Sequence, residues 1–510
     1  MTVRPTHLVV TSFVVSLLLF LDASSGSGAT RKHRLAARKK GVRAALAADL
    51  PTAVGGTFAE RLNSLVNGNV ARGCDSSIQV VEVESGAVIA QRNAHMPLAP
   101  ASNMKLFTTA GALDMLRPNF QVTTTVMMRG TLDRTGTLTG DVKVTGHGDP
   151  TIGGRFHDGH ATEVLAEWAT DLKKAGVKTM RGDLIFEYGY MDTEYIHPTW
   201  PTDQLVAWYE APISAFSLQE GCVQVKVLPG KSGQRALVSL EPPTSYLNVE
   251  NSCVTGRGLP FITRRIGSND VIVRGGVPAR SGPTEVFVTV MNPVNYFAAV
   301  TNETFARNGI KVLGKIVLTP KDARTDWRFV TQHATPLNVI VYVINKKSQN
   351  HYAEQLVKMI GAERAHQGSW AAGTRTVTEW LTGKLGVPGE EYHQADGSGM
   401  SRFNRASSEA FIHLLRYMWK SPYREDFVSS MPYSGDPDSK FGKRLKHPPY
   451  ARQVYAKTGY IVGVVGLSGY VHSQSGKIYA FSFLFNRYHV GVYAIYHLQD
   501  EMLKEIISHG

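Results

Sequence analysis

Ser102 and Lys105 stand one helical turn apart at the head of an apolar run, Leu106-Phe107-Thr108-Thr109-Ala110-Gly111-Ala112-Leu113, that reads as a helix. The spacing puts both side chains on one face. A serine hydroxyl is a poor nucleophile until a neighbour takes its proton. A neutral lysine one turn away can do that without any histidine. The helix N-terminus adds free N–H groups and a positive dipole end, both suited to an oxyanion forming on the serine's substrate. Ser-x-x-Lys alone is weak, because average usage gives roughly two chance matches in a chain this long; Ser102 heads the only one here. Without other support, an N-cap serine and a surface lysine would be the better reading.

Two further motifs supply that support. Ser348-Gln349-Asn350 is the only Ser-x-Asn in the chain and precedes the helical stretch Tyr352-Ala353-Glu354-Gln355-Leu356. Lys457-Thr458-Gly459 is the only Lys-Thr-Gly, at the end of a predicted strand and before the glycine-rich strand Gly463–Gly469. Lys105 can act as a base only if burial and a second cation lower its pKa, and Lys457 is the obvious second cation. Ser348 can relay a proton to a departing amine between the two lysines. Asn350 can hold a substrate amide with its donor and acceptor together. Thr458 can offer a hydroxyl to a carboxylate while its strand, continuing through Gly459 and Tyr460, pairs with an extended peptide. The oxyanion hole would be the backbone N–H groups of Ser102 and Tyr460.

Elements at both ends of the chain must position these groups. Residues 57–70 predict a short amphipathic helix, and Ser77–Val83 with Ala87–Ala90 a β-hairpin around Glu84-Ser85-Gly86. From about 120 to 325 the character changes to short strands with Gly, Asp and Pro turns. Helices return at Tyr352–Ile360 and Ala371–Leu385. Strands follow at 454–457, 464–471 and 477–485, then a helix from about Ala494 to Ile507. This pattern implies one α/β (α+β) domain built from both chain ends, an antiparallel sheet flanked by helices, interrupted by a β-rich insertion.

The chain has 510 residues, enough for two to four domains, with 43% apolar and 19% charged residues, as folded globular proteins have. Residues 8–21 are apolar, follow Arg4 and His7 and precede the small-residue stretch 23–29, the layout of a secretory signal peptide over 1–29. Residues 1–49 hold eight Lys and Arg against two Asp, about half of the net charge of +13. The basic tract within 30–50 is read as a flexible arm, either a solvated linker or a weak contact for an anionic membrane or wall polymer. Export and the lack of a recognition motif exclude nucleic acid as a partner. Of three cysteines, Cys222 and Cys253 share one turn-rich region and are expected to pair, leaving Cys74 either free or paired outside the chain. His147, His157 and His160 lack acidic or thiol partners at ligand spacing, so neither a metal nor a cofactor is expected.

With those residues placed, residues 55–510 resemble the class C low-molecular-mass penicillin-binding proteins, the D-alanyl-D-alanine carboxypeptidase/endopeptidase family with a serine β-lactamase-like core. The gap of 246 residues between Ser102 and Ser348 leaves room for that family's large insert. Supporting segments are Ala99–Lys105, Gly146-His147-Gly148-Asp149-Pro150-Thr151, Asn345–Asn350 with Ala353-Glu354, and Asp396-Gly397-Ser398-Gly399-Met400-Ser401-Arg402. The resemblance implies a peptidase domain from 51–122 and 326–510, and two inserted β-rich domains over 123–325. It implies Ser102, Lys105, Ser348, Asn350 and Lys457 as catalytic, and Thr458, Gly459, Tyr460, Ser398 and Gly399 as substrate-binding. Tyr209, with Asp203 nearby, would project from the insert toward the substrate's side chain. The implied partners are peptidoglycan stem peptides and a covalent β-lactam adduct at Ser102, in the periplasm or cell envelope. One departure stands out: Tyr460 occupies a place where the family usually has Thr or Ser. The lost hydroxyl would have helped bind a terminal carboxylate, which favours cleavage of internal cross-links alongside carboxypeptidase action. A non-catalytic wall-binding scaffold that keeps the fold is the alternative. No Glu-x-x-Leu-Asn stands out as a deacylating device, so efficient penicillin hydrolysis is not expected.

Overall fold

Apolar runs from opposite ends of the chain become neighbours in one sheet. The computed structural model describes residues 55–510, so the predicted signal segment and basic arm lie outside the described residues. Strands β1 (Asp75–Glu82), β2 (Val88–Arg92), β3 (Val454–Ile461), β4 (Val464–His472) and β5 (Ile478–Asn486) form an antiparallel sheet in the order β2-β1-β5-β4-β3. Asp75 lies opposite Asn486, which ties the first strand to the last. β4 and β5 are buried along nearly their whole length, because helices cover both faces. Alternation sorts their side chains: Phe481, Phe483 and Phe485 pack with Leu62, Val66, Leu503 and Ile506. Ala480 and Leu484 point the other way, into a core with Leu106, Phe107, Leu356 and Phe411.

On the first face lie α1 (Phe58–Val66) and α7 (Val492–His509), and on the second α2 (Lys105–Leu116), α4 (Asn350–Ala365) and α6 (Ser408–Lys420). α3 (Leu337–Lys347) and α5 (Trp370–Leu385) pack against α2 and α4. α1 begins with a capping box, Thr57 Oγ1 accepting from Glu60 N and the Glu60 carboxylate from Thr57 N. It ends at Val66, and Gly68 separates it from a single turn, Asn69–Arg72, within the helix predicted over 57–70. No helix among the described residues is long and apolar enough to cross a membrane.

The insert leaves and returns through paired strands. Gln121–Met128 runs antiparallel to Arg328–Pro336, with Gln121 opposite Pro336, at the edge of a five-stranded sheet. The returning strand is bonded along its length to the departing one. Helices Glu163–Lys174 and Pro293–Arg307 pack around Trp168, Phe186, Phe216 and Phe297. Further strands form a three-stranded sheet centred on Cys222–Leu228 and a four-stranded one around Asp270–Val277.

The expected Cys222–Cys253 disulfide is absent, and all three cysteines are free thiols. Cys222 opens its strand opposite Thr289. Cys253 instead accepts from Ala236 N, beside Leu237, which pairs with Leu228 at the other end of that strand. Six residues of strand separate those ends by roughly 20 Å, whereas a disulfide needs Cα atoms within about 7 Å.

Candidate active site

Ser102 sits in a tight 3-10 turn, Ala101–Met104, from which α2 continues at Lys105. The turn precedes the α-helix, which the sequence predicts to start at Ser102 itself. Ala101, just before Ser102, takes φ +47°, a left-handed backbone that costs a non-glycine residue energy and recurs at functional sites. Two glycines let neighbours close on this turn. A Cβ at Gly459 would stand 2.6 Å from the Pro100 carbonyl, and one at Gly399, itself at φ +85°, 1.8 Å from the Ala101 carbonyl. Asn103 Nδ2 donates to Ser468 Oγ at 2.9 Å, pinning the turn to β4.

The second motif occupies the junction of two helices. α3 ends at Ser348, which adopts φ +57°, and α4 begins at Asn350. The left-handed residue turns the chain so that Asn350 meets Lys105 of α2 and Ser348 meets Lys457 of β3. Lys346, buried one turn earlier, anchors the junction through Asp436 at 2.9 Å and the Met431 carbonyl at 2.7 Å.

The third motif lies on an edge strand. The first half of β3 is covered: Ala456 N donates to Pro432 O and Ser434 N to Val454 O. From Lys457 onward no strand among the described residues pairs with the outer edge of β3. An extended peptide can add there.

These pieces converge. Lys105 Nζ lies 3.1 Å from Ser102 Oγ, 2.7 Å from Asn350 Oδ1 and 2.7 Å from the Ser398 carbonyl. Lys457 Nζ lies 2.8 Å from Ser348 Oγ and 2.9 Å from the Thr458 carbonyl. Both lysines are fully buried, while Ser102, Ser348 and Asn350 keep some access to solvent. Burial pushes the Lys105 ammonium down to about 7, opposed by the negative charges of Glu354 and Asp396. Lys457 is held well below the usual lysine range by burial and by repulsion from Lys105. Repulsion between the two buried ammonium groups acts on both, and desolvation is the larger cause of the lowering at each. A half-neutral lysine against a serine hydroxyl, with a second Lys–Ser pair beside it, is a proton-transfer site for acyl chemistry.

The D-Ala-D-Ala carboxypeptidase 3 (S13) family model matches residues 59–502. The chain belongs to that family. It is 33% identical over 444 residues to a D-alanyl-D-alanine carboxypeptidase of an Actinomadura species, covering 84% of this chain and 80% of that protein. To the D-alanyl-D-alanine carboxypeptidase DacB of Haemophilus influenzae it is 25% identical, covering 85% and 90%. The crystal structure of penicillin binding protein 4 (dacB) from Haemophilus influenzae superposes with a TM-score of 0.75 at 22% identity, covering 88% of this chain and 99% of that one. The mixed α/β fold with its antiparallel sheet is the fold of that protein.

Around the carboxypeptidase-family centre, several residues stand elsewhere than the sequence predicts. Ser398 is fully buried and gives its carbonyl to Lys105, and Gly399 packs on Ala101, so both support the nucleophile rather than lining a substrate. Asp203 is exposed, and burial, with the charges of Glu210 and Asp203 nearby, raises the Tyr209 hydroxyl, which donates to Gln204 Oε1 at 3.0 Å. The Tyr209 carbonyl accepts from Asn350 Nδ2 at 3.0 Å, so this insert segment touches the Lys105–Asn350 cluster through its backbone. Thr458 is half-buried, and Tyr460 is 54% exposed beside it on the open edge.

Two carboxylates that organise the centre have no signal in spacing alone. Glu354, fully buried, accepts from Trp370 Nε1 at 2.7 Å, Gly397 N at 2.9 Å and Ser398 N at 2.8 Å. Burial raises its carboxyl and these donors oppose the rise. Asp396 accepts from Gly399 N, Ser401 N, Asn404 Nδ2 and Trp200 Nε1, which fixes the loop that carries Ser398. Glu354 follows Ala353 in the resemblance and Asp396 opens its loop, yet neither sequence context says which donors each would collect.

Proposed function

We propose that this chain is a penicillin-binding serine DD-peptidase that cleaves D-Ala–D-X bonds of peptidoglycan peptides through a Ser102 acyl-enzyme. The observation that carries the proposal is Lys105 Nζ, 3.1 Å from Ser102 Oγ and pushed down to about 7, so that about half of the molecules present a neutral amine to the hydroxyl at neutral pH. Ser102 Oγ attacks the peptide carbonyl while its proton passes to Lys105. The oxyanion is received by the backbone N–H groups of Ser102 and Tyr460. As the tetrahedral intermediate collapses, the C–N bond breaks and the proton taken up by Lys105 passes through the Ser348 hydroxyl, which Lys457 orients at 2.8 Å, to the leaving amine, so that Lys105 is neutral again. Water then attacks the ester and returns Ser102. A β-lactam stops at the ester stage, because its ring amine stays tethered.

Asn350 holds the substrate amide, and Thr458 receives the carboxylate on the leaving side. Tyr460 has no aliphatic hydroxyl for that carboxylate but offers a half-exposed ring where a cross-linked leaving group would extend. That favours endopeptidase action on internal cross-links beside carboxypeptidase action. A substrate made of wall polymer places the enzyme in the cell envelope, in keeping with the signal segment read over 1–29 and the basic arm read over 30–50.

Labelled penicillin should add covalently to the wild type and not to Ser102→Ala; label retained by the variant would overturn the assignment. Pentapeptide should release D-alanine, whereas a non-catalytic scaffold would release none. Loss of muropeptide dimers compared with loss of terminal D-alanine from monomers decides between endopeptidase and carboxypeptidase preference.

A further inference from the structure

The Ser348-Gln349-Asn350 junction is gripped from outside its own domain. Gln349 is buried, and its Nε2 donates to Glu220 Oε2 of the insert. Glu220 Oε1 accepts from Arg155 Nε at 2.5 Å, and the Arg155 guanidinium sits 5.8 Å from the ring of buried Tyr352 in α4. Glu220 is held in an unusual backbone: Gln219 has φ +51° and Glu220 φ +59°, both left-handed and neither glycine. That turn is locked to the Arg155 segment, since Gln219 N donates to Ile152 O at 2.9 Å and Gln219 Oε1 accepts from Gly154 N at 2.7 Å. Two more bonds fix the same end of α4: Ser217 Oγ to His351 Nε2 at 2.8 Å, and Gln355 Nε2 to Ser214 O at 3.0 Å.

We propose that Glu220, braced by Arg155, is a positioning residue that sets the Ser348 hydroxyl through Gln349. Strained backbone persists only where surrounding contacts over-determine it, and here those contacts end on the middle residue of a catalytic motif. Ser348 is itself left-handed, and its hydroxyl must meet both Lys457 and a departing amine. With Gln349 fixed on one side and Lys346 on Asp436 on the other, that unfavourable geometry is held from both flanks. The Glu220 carboxylate is neutralised by Arg155, so the clamp adds no uncompensated charge beside the two lysines. The insert thereby acts in the chemical step although its side chains touch no reacting atom.

The inference depends on the serine peptidase reading, and its test is kept separate from that one. Turnover of pentapeptide is measured per active site titrated with labelled penicillin, so unfolded protein is not counted. Glu220→Ala should lower kcat per titrated site by about tenfold with KM within twofold, because a displaced proton donor slows chemistry without altering substrate binding. Glu220→Gln, whose amide oxygen can still accept from Gln349, should recover most of that loss. If Glu220→Ala does not fold, Gln349→Leu removes the same bond from the catalytic side and should show the same kcat loss. The inference is overturned if the alanine or leucine variant keeps kcat per site within twofold of wild type. It is equally overturned if glutamine is as defective as alanine. Failure of the peptidase reading would appear instead as labelling that survives Ser102→Ala.

Discussion

Replacing Glu354 with glutamine should move the acid limb of acylation to lower pH. Glu354 Oε1 accepts from Ser398 N at 2.8 Å, and the carbonyl of the same residue accepts from Lys105 Nζ at 2.7 Å. With one residue between them, the opposite charges are about 7 Å apart. At an effective dielectric constant of about 20 their attraction is about 2 kcal/mol, or about 1.5 pH units. The carboxylate favours the charged ammonium, so it raises the Lys105 pKa against the larger lowering by burial. Removing the charge takes away the raising influence. The pKa falls, and the neutral base persists to lower pH. The assay is the second-order rate of acylation by a chromogenic β-lactam, followed by stopped flow across pH and normalised to titratable sites. Wild type should lose rate on the acid side with an apparent pKa about 7. Burial and the Asp396 charge raise the Glu354 carboxyl to about 7, so its charge is only partly present across that limb, and Glu354→Gln should show the same limb lower by about 0.5 to 1 unit, less than the full Coulomb figure. An unmoved limb would mean that Lys105 is not the titrating base or that Glu354 carries no charge; a limb moved to higher pH would refute the sign. The variant should also lose about 1–3 kcal/mol of stability, since a glutamine NH2 group faces backbone and indole donors that the carboxylate accepted. Thermal unfolding reads that loss separately.

Gly459→Ala should cut acylation at least about tenfold while the protein still folds, because the added Cβ meets the Pro100 carbonyl at 2.6 Å and displaces the nucleophile's turn; wild-type rates in a folded variant would remove the close-approach argument. Tyr460→Thr should raise kcat/KM for peptides ending in D-Ala-D-Ala by about three- to tenfold through one further hydrogen bond to the carboxylate, without raising cleavage of muropeptide dimers. Equal gains on both substrates would show that the hydroxyl does not read the terminal carboxylate. Denatured protein alkylated without reductant should gain three labels by intact mass, one each at Cys74, Cys222 and Cys253. A single label would restore the disulfide.

The residues that converge at the candidate site were legible because each motif is local. Ser102 and Lys105 share one turn, Ser348 and Asn350 flank one residue, and Lys457 and Thr458 are adjacent on one strand. Hydrophobic patterning likewise foretold the hairpin, the helices after Ser102 and near 57–70, 352–360, 371–385 and 494–507, and the three C-terminal strands, since periods of two and 3.6 are written within a dozen residues. It missed α3, α6 and the two helices of the insert, Glu163–Lys174 and Pro293–Arg307. The other failures depended on direction or distance across the chain. Cys222 and Cys253 look paired by sequence proximity, yet strand register sends them to opposite ends of one sheet. The partner of the Tyr209 hydroxyl, Gln204, is set by a turn that no spacing announces. Ser398 and Gly399 look like a substrate-lining loop, yet Asp396 folds that loop inward until its backbone holds Lys105 and Ala101. The clamp on Gln349 unites residues 155, 220 and 349, which no local pattern relates.

The sequence by itself therefore determined which groups could make and break an acyl bond, and which elements carry them. Only the tertiary structure decided whether Lys105 would be neutral enough to act. A lysine pKa depends on the desolvation summed over every group packed around it, set against the few charges left within reach. Here that environment is assembled from β3, α2, α4 and the Asp396 loop, whose contributing residues lie hundreds of positions apart.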